Sequence, residues 1–127
     1  VPFNVFDNRL ILGGQLKRLK NKGIEVHARS VFLQGVLLDF DSLGGYFSNW
    51  NSFFDNYQKM VKESEFSLLE YALNFALNEE EIDKVLIGVS SQKQLEEVIE
   101  ASNKKIINSL LPFTSDDLNL INPSLWK

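Results

Sequence analysis

The chain has 127 residues, a formal net charge of −4 and no cysteine, which is enough for one compact unit with a core of its own. No basic tract interleaves with aromatics and no apolar run approaches roughly eighteen residues, so neither nucleic acid nor a membrane span is expected. A single His without any Cys excludes zinc and thiol chemistry, and the missing cysteine suits a cytoplasmic setting.

Residues 1–6, VPFNVF, read as a short first strand with Pro2 tolerated at its start. The second half of NRLILGGQLKRLKNKG reads as a helix. Leu16 and Leu19 form its apolar face, Lys17, Arg18, Lys20 and Lys22 its wet face, and Gly23 its C-terminal cap. Residues 24–32 form a second strand, in which His27, Arg29 and Ser30 are unexpected polar residues. His27 alternates with Val26 and Ala28 and reads as a hydrogen-bonded residue on the strand's helix-facing side. A long loop punctuated by Gly35 and by Gly44 and Gly45 follows. Within it, Asp39 and Asp41 read as a solvated turn rather than a metal site.

A helix is expected from about Asn51, with Phe53, Phe54, Tyr57, Met60 and Val61 at helical spacing. Another should run from about Ser64 to Leu77, largely buried through Phe66, Leu69, Leu73 and Leu77 and the adjacent Leu68, Ala72 and Phe75. Glu79, Glu80 and Glu81 turn the chain. Residues 84–89 form a third strand, so rich in aliphatic residues that both faces should be covered. Ser91 and Gln94 have the spacing of a capping box, and Leu95, Val98, Ile99 and Ser102 are the inner face of the helix they open. The tail, ending in NPSLW, is irregular with room for one more helical turn. Strands alternating with helices predict parallel pairing and right-handed crossovers. Residues 1–127 thus read as a single α/β segment with strands near 1–6, 24–31 and 84–89. Three strands fall short of a closed barrel, which takes about eight strands and roughly 250 residues.

Four stretches, VPFNVFD, KGIEVHARSVFLQG, EIDKVLIGVSSQKQLEEV and NPSLW, resemble the C-terminal part of the aldo/keto reductases, in the family's order and near its spacing. The resemblance implies a partial TIM barrel, about three C-terminal βα units with parallel strands. It also implies the reaction of the complete barrel: reduction of a small carbonyl compound by NADPH or NADH. The family's catalytic Asp, Tyr, Lys and His belong to segments without a counterpart here, so no catalytic residue is assigned and the chain by itself should be inactive. The family's glutamine for the nicotinamide amide would fall just before Val1, and the start at Val1 suggests a piece of a longer chain.

The family's seventh strand ends roughly in Ala-Tyr-Ser-Pro-Leu-Gly-x-Gly, where this chain runs from Ala28 to Gly35 as ARSVFLQG. The resemblance puts Arg29 where an aromatic ring stacks on the nicotinamide, a place a planar guanidinium also suits. Ser30, Phe32 and Gln34 would line the pyrophosphate loop. At the adenosine end it assigns Gly88, Ser90, Ser91 and Gln94, with a phosphate facing a helix N-terminus. Ser90 replaces a frequent Arg, Gln94 stands where an Arg or Gln is found, and Val98 replaces an Asn. Such a site should discriminate only weakly between the two cofactors. Against these roles stand plainer ones: an ion pair for Arg29, and helix capping alone for Ser90 and Ser91. The rival to the enzyme reading is a non-catalytic α/β module that self-associates or binds a partner through exposed strand edges.

Overall fold

The structure, a computed structural model, describes residues 1–104 and 110–127. Arg9–Leu12 (α1) and Gln15–Asn21 (α2) lead to His27–Ala28 (β1), and Asn51–Glu63 (α3) and Leu68–Leu77 (α4) to Lys84–Val85 (β2). Gln92–Ser102 (α5) and Leu118–Ile121 (α6) complete the order. The two strands pair in parallel, His27 with Lys84 and Ala28 with Val85. Pro2 adds a parallel bridge to Arg29 on the other side of β1.

Parallel pairing was expected; the strand lengths were not. The stretch 1–6 contributes only the bridge at Pro2, because the Asn4 amide turns back onto the Asp7 carbonyl at 3.0 Å. The third strand is a two-residue ladder continued by one bond, from Leu86 N to the Ala28 carbonyl at 2.8 Å. Its two faces also differ. Val85 and Ile87 pack with Phe3, Ala28, Val31 and Ala76, whereas Leu86 and Val89 are 53% and 40% exposed. Helices therefore cover one face only, and among the described residues nothing pairs with the outer edge of β2. His27 is corrected as well. Val26 and Ala28 are buried, so His27 lies on the other side, its Nε2 2.8 Å from Glu25 Oε1. That hydrogen bond, with help from Lys84, holds the Glu25 carboxyl below its usual range.

The helix caps follow from local chemistry. At the end of α2, Gly23 N donates to the Lys20 carbonyl at 2.9 Å and Ile24 N to the Leu19 carbonyl at 3.1 Å, a Schellman motif. It needs the left-handed φ of +73° that Gly23 supplies. A methyl group there would meet open space, so the cost of Gly23→Ala is conformational. We expect a loss of about 1 kcal/mol in urea unfolding. An unchanged midpoint would show that the cap contributes nothing.

The fourth helix starts at Leu68 rather than near Ser64. Ser64 instead ends α3, and Ser67 with Glu70 forms a reciprocal capping box. In α3 the expected stripe holds: Phe54, Tyr57 and Val61 are buried, with Phe53 and Met60 partly so. In α4, Tyr71, Ala72, Leu73, Asn74 and Ala76 are buried, but Leu77 is 43% exposed. Buried Asn74 donates to the Ala101 carbonyl at 2.9 Å and ties α5 to α4. That attachment turns Ala101 inward. Leu95 and Ile99, expected on the inner face of α5, are about half exposed instead.

The predicted loop after Gly35 contains two short 3-10 turns, Val36–Leu38 and Gly45–Trp50, with Val36 and Leu37 buried. Asp39 accepts from Asp41 N and from Ser42 Oγ, the expected turn, and the Ser42 bond above all lowers its pKa. The tail packs over α3. Phe113 N donates to the Val5 carbonyl, and the Trp126 ring meets Phe47 edge-on at 4.9 Å.

Candidate functional site

Both strands run the same way, so the segments leaving their C-terminal ends are neighbours. Residues 30–35 follow β1 and residues 86–88 follow β2. Between them lies a cleft of about 350 Å³, at the low end for ligand pockets. Ser30, Phe32 and Gln34, expected along a pyrophosphate loop, line it together with Gly88, expected at the adenosine end. Gly35, the glycine that closes the ARSVFLQG stretch and lets a backbone approach a ligand, lines it too, as do Val31, Leu38, Leu86 and Ile87, which were not singled out as site residues. Val31 and Ile87 adjoin chosen positions, and nothing in the sequence marked Leu38.

The backbone of this segment is unusual. Ser30, Leu33 and Gln34 have φ of +58°, +49° and +54°, and Gly35 has +88°. Each non-glycine residue held there costs about 1–2 kcal/mol. Burial of Leu33, Val36 and Leu37 offsets that strain. Leu33 N bonds to the Ser30 carbonyl, Gly35 N to that of Phe32 and Val36 N to that of Leu33, each at 3.0–3.1 Å. Among the described residues, this pattern leaves the backbone amides of Val31, Phe32 and Gln34 without a protein acceptor. Turns that alternate hand and present free N–H groups suit an anion.

Ser90, Ser91 and Gln94 form a second, exposed group at the start of α5. Ser91 Oγ accepts from Gln94 N at 3.1 Å. The expected capping box does not close on Ser91: Gln94 Oε1 accepts instead from Ser90 N at 2.8 Å and Ser90 Oγ at 3.0 Å. These three residues are not among those lining the cleft, which reaches only to Gly88.

Arg29 is also outside the lining. Its backbone is held in the ladder, donating to the Val1 carbonyl and accepting from Phe3 N, and its side chain is exposed. Among the described residues the guanidinium has no ion-pair partner. No group of three or more His, Asp or Glu side chains among the described residues could hold a metal ion. None of the described helices is long and apolar enough to cross a membrane.

The pattern of the aldo/keto reductase family matches residues 1–110. The chain belongs to this family. No curated protein sequence matches it. An aldo-keto reductase from Bacillus halodurans, in its holo form, shares the fold at a TM-score of 0.65 and 21% identity, over 84% of this chain and 37% of that one. The apo form of that protein gives 0.62 and 23%, over 99% of this chain and 42% of that one. This aldo/keto reductase chain therefore spans about two-fifths of that protein's length. Its small parallel sheet with covering helices is that of a TIM-barrel family. In such barrels, sites lie where the cleft is found, beyond the C-terminal ends of the strands.

Proposed function

We propose that residues 1–127 are one segment, about three C-terminal βα units of an aldo/keto reductase barrel, and that it holds the nicotinamide cofactor of a cytoplasmic NADPH- or NADH-dependent carbonyl reductase. One observation carries this reading. The cleft at the ends of the two parallel strands gathers Gly88 with Ser30, Phe32 and Gln34, from the segment in which three backbone amides, those of Val31, Phe32 and Gln34, have no acceptor among the described residues. The donor set fits a pyrophosphate: it has N–H groups and a hydroxyl, no carboxylate among its lining residues, and a backbone close enough at Gly35 for a ligand to approach. When bound, the reduced nicotinamide supplies the hydride for a carbonyl carbon. This chain's part is to bind and orient. Ser30 and Gln34 offer polar groups, Phe32 an apolar wall, and the first turn of α5, with Ser90, Ser91 and Gln94, a favourable dipole for a phosphate. Arg29, exposed beside the cleft, would offer its planar guanidinium to the nicotinamide. In this reading the half-exposed Leu86 and Val89 belong to the face that further strands would cover, so they do not count toward a self-associating module. Fluorescence titration of the complete protein with NADPH and with NADH tests the proposal. Saturable quenching by at least one is expected, and none by either overturns it.

Cofactor choice follows from the start of α5. A 2′-phosphate carries nearly two negative charges and is held best by charge-assisted bonds. Here Ser90 and Gln94 bond to each other, and of the residues opening the helix only Lys93 is cationic. Discrimination between NADPH and NADH should be about tenfold, or ~1.4 kcal/mol. Ser90→Arg should raise NADPH affinity and leave NADH nearly unchanged. A thousandfold preference in the unaltered protein would refute this account of the loop.

A further inference from the structure

Asn4 is 1% exposed, and every polar group of this residue that bears on the loops is engaged. Its Oδ1 accepts from Phe6 N and from Asp7 N, both at 2.9 Å, and its own N–H donates to the Asp7 carbonyl at 3.0 Å. Its Nδ2 reaches across to the Ser30 carbonyl at 3.0 Å. The backbone ladder between these two segments ends one step earlier, with Phe3 N on the Arg29 carbonyl at 3.1 Å. The Asn4 carboxamide thus extends the parallel pairing by one rung after its own backbone has turned away.

The rung falls on a consequential carbonyl. Ser30 sits at a φ of +58° and its carbonyl also takes the Leu33 N–H at 3.0 Å, the bond that opens the left-handed segment. A strained residue of this kind stays put only when its surroundings over-determine it. Leu33 is anchored by burial, but Ser30 is only partly buried and faces the cleft. The Asn4 bond is what fixes its peptide plane from outside the segment.

We infer that Asn4 is a positioning residue: its Nδ2–H sets the Ser30 carbonyl and so the orientation of the Val31 and Phe32 amides that the cofactor would meet. The inference rests on the proposed cofactor site and adds to it a residue that touches no ligand. Two substitutions separate its two functions. Asn4→Asp keeps an acceptor for the Phe6 and Asp7 amides and removes the donor to Ser30. Asn4→Ser retains a short acceptor for the turn, as serine does in turns of this type, but cannot reach Ser30.

The test is made in the complete protein, by titrating NADPH and NADH into each variant well below its unfolding midpoint and by measuring KM for a test aldehyde at saturating cofactor. Both variants should bind the preferred cofactor at least tenfold more weakly, with KM for the aldehyde changed less than twofold. A purely structural Asn4 would lower the unfolding midpoint and leave cofactor affinity within twofold, which overturns the inference. If Asn4→Asp does not fold, Asn4→Ser decides alone. If neither folds, Asn4→Ser combined with Ser30→Gly decides: glycine holds the left-handed φ without help while the carbonyl at residue 30 still lacks its donor, so affinity within twofold of Ser30→Gly alone also overturns it. Failure of the unaltered protein to bind either cofactor refutes the underlying site instead.

Discussion

Phe6→Ala should destabilise the protein by about 3–5 kcal/mol, the range for losing a buried aromatic ring. Phe6 is fully buried and central to the larger core. Its ring meets Phe53 edge-on at 4.9 Å and Tyr57 edge-on at 5.0 Å, and lies 6.2 Å from Phe54 and 6.4 Å from Phe113. Those neighbours come from α3 and the tail, so the cavity would open where three segments meet and none can collapse alone. Urea unfolding of the complete protein measures the effect, and a loss under about 1 kcal/mol would mean that the site repacks. Tyr57→Phe provides the opposite sign at the next ring. The Tyr57 hydroxyl is buried with no partner among the described residues, and burial raises its pKa far above the usual tyrosine value. Deleting an unsatisfied buried hydroxyl should stabilise by about 1 kcal/mol.

The 127-residue chain alone should reduce no carbonyl compound. Proton donation to a developing alkoxide needs a group tuned near the working pH and within reach of the bound substrate. None of the three tyrosines is placed for this. Tyr46 donates to the Asn119 carbonyl at 2.6 Å and Tyr71 to that of Leu111 at 2.7 Å. Tyr57 lies in the core, and burial shifts both Tyr57 and Tyr71 upward, away from neutrality. None of them lines the cleft beside Ser30 and Gly88. Oxidation of NADPH with a test aldehyde should match the rate without protein. A rate that scales with chain concentration, and survives removal of contaminating activity by gel filtration, would refute the assignment of binding without chemistry.

Local sequence determined a good deal of this molecule. The α3 stripe from Phe53 to Val61, the cap at Gly23, the Asp39 turn and the parallel sense of the strands were all legible. Each depends on contacts within a few residues or on the alternation of element types. That Ser30, Phe32, Gln34 and Gly88 were site candidates at all came only through the family resemblance, since nothing in their spacing sets them apart from an ordinary loop. The tertiary structure decided what depends on distant partners. Whether the aliphatic run at 84–89 is covered depends on which strands flank it, so Leu86 and Val89 are half exposed where burial was expected. Leu95 and Ile99 had the periodicity of an inner face, but the Asn74 bond to the Ala101 carbonyl set the rotation of α5. Asn4 drew no notice as one polar residue in an apolar run. Its place under Ser30 exists only because a turn at residues 4–7 meets a loop 26 residues further along the chain, and pattern in one segment carries no record of such a meeting.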